Sequence, residues 1–154
     1  MEQQKVKVLY VDDEVNNLTS FRALFRRNFE VYTAISAEEG RALLKEHRFH
    51  VILTDQRMPG TTGVEFLESI IGEYPDPIRI LITGYTDIHA VIDAINRGRV
   101  SRYITKPWDE QELKMTIENA FEVYSLRQAN IELTQKLLEA NGQLDFMLRQ
   151  KLLS

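Results

Sequence analysis

The sequence contains no cysteine, which excludes disulfides and thiolate-bound metals but does not by itself separate a reducing from an oxidising compartment. It also lacks an excess of positive charge. With 19 Lys and Arg against 23 Asp and Glu, its formal net charge is -4. Sequence-independent nucleic-acid binding needs a basic surface that releases counterions, so none is expected of this segment. No apolar run approaches the ~20 residues that span a bilayer, and residues 1–11 have neither the apolar stretch nor the small-residue cleavage site of a signal peptide. A soluble cytoplasmic protein without membrane contact is the expectation.

What is present is the composition of an ordinary globular chain: 154 residues, 44% hydrophobic and 27% charged, enough for one domain with a modest extension. Short β-like runs alternate with segments of helical period. The runs fall at residues 5–11, 30–35, 50–55, 78–83 and 101–105. Two of them hold continuous apolar blocks, Val51-Ile52-Leu53 and Ile80-Leu81-Ile82, the pattern of strands covered on both faces. Between the runs, Val15, Leu18, Phe21 and Phe25 share one helical face, and Ile88, Val91, Ile92 and Ile95 share another. Ser36 with Glu39 reads as a capping box, and Asp109 with Glu112 as the start of the last helix.

Five strand-then-helix units imply an α/β fold with a parallel sheet, because each return to a parallel strand requires a crossover over one face. The expected architecture is flavodoxin-like, strand order 2-1-3-4-5, with helices on both faces. In such sheets function gathers beyond the carboxyl ends of the strands. There the chain places Asp12, Asp13 and Glu14 after the first run, Asp55 after the third, Thr83 and Gly84 after the fourth, and Lys106 and Pro107 after the fifth.

Carboxylates crowded at one edge repel one another unless a cation joins them. A hard divalent ion such as Mg²⁺ suits them, since it accepts one or two carboxylates while keeping waters and phosphate oxygens. A crevice for a flavin phosphate fits less well, because the first turn is acidic and has no glycine-rich or hydroxyl-rich anion cradle. The remaining groups match transfer of a phosphoryl group to a carboxylate. Asp55 is placed to attack phosphorus, Lys106 and Thr83 to hold phosphoryl oxygens, and Gly84 to leave room. An alternative, a phosphatase working through an aspartyl intermediate of the haloacid-dehalogenase kind, lacks its second acid, because Arg57 stands there.

The segments Val-Asp-Asp-Glu (11–14), Thr-Asp-Gln-Arg-Met-Pro-Gly (54–60), Ile-Thr-Gly (82–84) and Tyr-Ile-Thr-Lys-Pro (103–107), in this order and spacing, resemble the response-regulator receiver domain over about the first four fifths of the chain. The resemblance implies Asp55 as phosphoacceptor and Mg²⁺ held by Asp12, Asp13, Asp55 and the backbone carbonyl of Arg57. It also implies Thr83 and Tyr103 as a switch pair, and Lys106 before a cis peptide to Pro107. Arg57 and Tyr85 fall where the family tunes loss of the phosphoryl group. The phosphodonor it implies is a histidine kinase or a phosphotransfer protein, and the domain is a signalling phosphoacceptor, not an enzyme with its own substrate. Tyr103 also reads as a plain core aromatic, Trp108 as packing near the start of the last helix, and His47, His50 and His89 as surface or helix-end residues without ligand spacing.

Past about residue 124 the helical pattern continues without proline. Leu126, Leu133, Ala140 and Met147 alternate with Asn130, Leu137, Leu144 and Lys151 in a d/a heptad seam, which predicts a two-stranded coiled coil with Asn130 fixing register. A second stripe of Ile131, Leu138, Leu148 and Leu152 leaves a four-helix assembly open. Gly142 faces outward and weakens the helix by roughly 1 kcal/mol. The expected organisation is a receiver over residues 1–124 and a helical extension over 125–154, joined as a homodimer, with an output domain absent from the chain or supplied in trans.

Overall fold

A computed structural model describes residues 5–153. Five strands, β1 (Lys7–Val11), β2 (Glu30–Ala34), β3 (Val51–Asp55), β4 (Ile78–Thr83) and β5 (Arg102–Thr105), alternate with helices α1 (Val15–Phe25), α2 (Ala37–Glu46), α3 (Gly63–Ile70), α4 (Ile88–Asn96) and α5 (Glu110–Leu153). All pairings are parallel and the order is β2-β1-β3-β4-β5. The strands are those expected from the sequence, β4 with the same bounds and the others shorter by one or two residues.

Period-2 alternation sends neighbouring residues of the central strands to opposite layers. Val8, Tyr10, Val51, Leu53, Ile80 and Ile82 pack with Leu18, Phe21 and Phe25 of α1 and Leu113, Ile117, Ala120 and Tyr124 of α5. Leu9, Val11, Ile52 and Leu81 pack with Leu44 of α2, Phe66 and Leu67 of α3, and Val91 and Ala94 of α4. This two-sided burial explains the uninterrupted apolar blocks, and each fully buried Phe or Leu contributes about 1.5–3 kcal/mol. Two residues assigned to apolar faces do not follow: Val15 is 61% exposed and Ile92 42% exposed. Val15 opens α1 ahead of the part that reaches the sheet, and Ile92 sits one residue past the buried Val91.

The capping motifs also differ in part from expectation. Ser36 accepts the Glu39 N–H, and Asp109 accepts the Glu112 N–H. The reciprocal box is at α3, where Thr62 accepts the Glu65 N–H and the Glu65 carboxylate accepts the Thr62 N–H. Those bonds hold Glu65 below the usual carboxylate range, the Thr62 backbone bond being the larger cause.

The edge of the sheet away from the strands' carboxyl ends is closed by buried polar groups. Arg79 is buried, and its guanidinium donates to the carbonyls of Arg99, Pro77, Gly98 and Pro75. His50, expected at the surface, is 7% exposed. Its Nδ1 accepts the Lys7 N–H at 2.9 Å, and its ring meets Phe121 and Tyr124 edge-on with centroids 4.9 Å away. The position precedes β3, where β1 begins with an N–H in need of a partner.

Helix α5 has two regimes. Its buried residues are Leu113, Thr116, Ile117, Ala120 and Tyr124. Beyond them Leu126, Leu133, Leu137, Leu144 and Met147 are all more than half exposed. At 1.5 Å per residue the 44-residue helix is about 66 Å long, far longer than the body it packs on. No described helix is long and apolar enough to cross a membrane.

Burial holds the His50 imidazole below its ordinary value of 6.5, with Arg48 and Lys7 adding to the effect and Glu30 opposing it. Above pH 6.5 folded and unfolded chains both keep this histidine neutral; as pH falls below it, the unfolded chain takes up the proton first. Stability should therefore drop from pH 6.5 toward the lowered folded value. Urea unfolding at pH 7.0, 6.0 and 5.5 should show a smaller decline in His50→Asn, whose side-chain oxygen can still accept the Lys7 N–H. An identical decline in both proteins would remove His50 from the explanation.

Candidate functional site

Parallel pairing brings the carboxyl ends of β1, β3, β4 and β5 to one edge, and with them Asp12, Asp13, Asp55, Thr83 and Lys106. Asp12 is fully buried. One of its oxygens accepts the Tyr10 hydroxyl at 2.6 Å and the Asn17 amide at 3.1 Å; the other accepts the Glu14 N–H at 2.9 Å. These bonds fix the orientation of the carboxylate. Burial pushes the Tyr10 phenol well above its usual value, reinforced by its bond to Asp12. Asp13 is exposed, and one oxygen each from Asp12, Asp13 and Asp55 lie within 4.8 Å of one another. Among the described residues this is the one cluster of three or more potential metal-ligating acids or histidines.

Asp55 is 6% exposed and takes the Lys106 ammonium on Oδ1 at 2.7 Å. Burial raises its affinity for a proton. Lys106 opposes that shift, while Asp12 and Asp13 add to it. The peptide bond from Lys106 to Pro107 is cis, as the resemblance implied. The cluster is thus a set of hard oxygen donors with surplus negative charge and a single ammonium beside it, which is the chemistry of a Mg²⁺ site. Asp12, Asp13 and Asp55 fit such an ion.

Thr83 is fully buried with its hydroxyl donating to the Gly84 carbonyl at 3.2 Å. A side chain built on Gly84 would meet nothing within 4 Å, so space is open beside that hydroxyl. Tyr103, on the edge strand β5, is 39% exposed, so it is not a plain core aromatic. Trp108 packs against Phe25 with ring centroids 6.3 Å apart and lines a cavity with Tyr10, Asn17, Lys106 and Pro107. The three histidines are not brought together: His47 lies against Tyr32, His50 is buried at the far edge, and His89 is exposed.

Several residues that shape the site went unread in the sequence. Gln56 pins the loop after Asp55 to α3, its side-chain oxygen accepting the Val64 N–H and its carbonyl the Gly63 N–H. At Gly63 any Cβ would run into the Asp55 carbonyl oxygen and the Leu81 side chain. The helix can approach the end of β3 this closely only with glycine there. The Arg57 side chain turns outward, donating to both oxygens of Asp87, the nearer at 2.9 Å, and to the Thr86 hydroxyl. Asn17 and Gln56 carried no local signal, whereas the glycine next to a Thr-initiated helix could have been found.

The family model for the response regulator receiver domain matches residues 8–118. The chain belongs to that family. This receiver is 42% identical over 127 residues to the hydrogenase transcriptional regulatory protein HoxA of Cupriavidus necator, a match covering 82% of this chain and 26% of the relative. The chain spans about a quarter of the length of the curated relatives it matches. Among solved structures it resembles one described as adenylate cyclase from Rhodopirellula baltica, with TM-score 0.83 and 31% identity over 86% of this chain and 98% of that one. A response regulator receiver domain protein from Clostridium thermocellum matches with TM-score 0.74 and 32% identity over 79% and 98%.

Proposed function

We propose that this receiver is a phosphorylation switch in a two-component phosphorelay, with Asp55 as the phosphoacceptor. The observation that carries the reading is the triad of carboxylate oxygens within 4.8 Å, with the Lys106 ammonium 2.7 Å from Asp55. Asp12, Asp13, Asp55 and the backbone carbonyl of Arg57 would hold Mg²⁺, whose role when bound is to neutralise phosphoryl oxygens. An Asp55 oxygen attacks the phosphorus of a phosphohistidine on a histidine kinase or phosphotransfer protein. The P–N bond breaks and its electron pair returns to the imidazole nitrogen. Lys106 shifts from the Asp55 oxygen toward the phosphoryl group and offsets its charge.

The new dianion offers the Thr83 hydroxyl a stronger acceptor than the Gly84 carbonyl, and open space beside Gly84 lets that hydroxyl turn. Tyr103, exposed beforehand, moves in behind it. The face made by α4, β5 and α5 thereby changes its partner preference. The chain acts as a phosphoacceptor that loses its own phosphoryl group to water, not as a catalyst for other substrates. Expected of the full chain with phosphoramidate and Mg²⁺ is one acid-labile phosphoryl group per protein, absent in Asp55→Asn. Persistent labelling of that variant would place the acceptor elsewhere.

Residues 1–124 form the receiver in this reading and 125–154 a dimerising extension that passes its state to an output domain, carried beyond the extension or supplied in trans. At 100° per residue, the seam of Leu126, Leu133, Leu137 and Leu144 lies on the side of α5 roughly opposite Leu113, Ile117, Ala120 and Tyr124. A coiled coil can therefore form without pulling α5 off the sheet. Glu122 and Arg127 occupy g and e positions in that register, where a parallel pair sets them across from one another. Light scattering at tens of micromolar protein should give a dimer, and Leu133→Glu with Leu137→Glu a folded monomer; a monomeric wild type would contradict the seam.

A further inference from the structure

Asp87 stands at the N-cap position of α4, where an aspartate ordinarily accepts a backbone N–H of the first turn. Here its side chain makes no capping bond. Both its oxygens are turned to Arg57 instead, Oδ2 to Nε at 2.9 Å and Oδ1 to the guanidinium end at 3.4 Å, while Thr86 takes a third hydrogen bond. The first turn of α4 contains no other acidic residue. The start of α4, which follows directly on a 3-10 turn over Tyr85–Asp87 and has no side-chain cap from Asp87, is thus tied across the top of the sheet to the loop that leaves Asp55.

The clasp is easily broken. Arg57 is 73% exposed at its side chain and Asp87 23%, and exposed ion pairs contribute little. Arg57 is two residues from Asp55, at most about 7 Å along the chain, so its side chain can reach a group placed on that carboxylate. A phosphoryl group, with a charge of about -1.5 to -2 and three acceptor oxygens, is a stronger partner for a guanidinium than a solvated carboxylate.

We propose that Asp87 is a positioning residue with two alternative partners: in the unmodified protein it holds Arg57 away from Asp55, and when a phosphoryl group draws Arg57 off, Asp87 turns back to cap α4. Partner exchange makes the order of the α4 start depend on the state of Asp55. The device rests on the phosphoacceptor reading above and adds to it a route from the modified carboxylate to α4 that does not pass through Thr83 or Tyr103.

Beryllofluoride with Mg²⁺, a reversible phosphoryl mimic, tests the exchange by calorimetric titration of the full chain. Asn caps a helix about as well as Asp, so Asp87→Asn keeps the helix start while removing the competitor for Arg57. It should bind beryllofluoride about two- to fivefold more tightly than wild type at low salt. The gap should close as ionic strength rises, Asp87→Glu should return toward wild type, and in an Arg57→Ala background Asp87→Asn should change nothing. Equal affinity in wild type and Asp87→Asn, or a gap that persists without Arg57, overturns the exchange. Absence of Asp55-dependent binding by the wild type would instead sink the phosphoacceptor reading, and the exchange with it.

Discussion

The repulsion among Asp12, Asp13 and Asp55 at one edge of the sheet is the constraint around which the rest of the fold is arranged. Left to themselves, such groups would separate or take up protons. The chain prevents the first with a parallel sheet whose strand ends are fixed by two apolar layers. Three hydrogen-bond donors hold Asp12 in place, and the ammonium beside Asp55 opposes the rise in proton affinity that burial brings there. The oxygen donors gathered at this edge fit a hard divalent cation.

The opposite edge is organised by the reverse chemistry. Arg79 is a buried cation, and it is satisfied by neutral carbonyls from the turns before β4 and β5, while His50 is kept neutral by burial. The hydrogen bonds there hold the turns before β4 and β5 together. Helix α5 joins the two functions: its first part belongs to the core, and its remainder carries apolar side chains that the receiver leaves exposed.

The strand order and the edge of the sheet that carries the site were legible because apolar period and strand-end residue types are local signals. Val51-Ile52-Leu53 announces a doubly covered strand, and Asp55 follows it directly. The acids, Thr83 and Lys106 could be named for the same reason. What escaped the sequence depends on three-dimensional closeness. The Gly63 requirement arises from the approach of α3 to the Asp55 carbonyl, and His50 is buried because α5, some 70 residues later in the chain, lies across it. Arg57 was read as a residue beside the phosphate site, and its partner Asp87 lies 30 residues away at the start of α4. Exposed positions such as Val15 and Ile92 were misjudged because hydrophobicity reports the preference of a side chain and not whether a neighbour arrives to cover it.

The most direct measurement of the shared-charge site is calorimetric titration of Mg²⁺ into the full chain and into Asp13→Asn. A carboxylate that shares an ion with Asp12 and Asp55 should be felt in the affinity: one ion per protein, bound ~10-fold or more weakly by the variant. Equal binding by the two proteins, or no saturable binding by either, would contradict the assembly of these three carboxylates into one site.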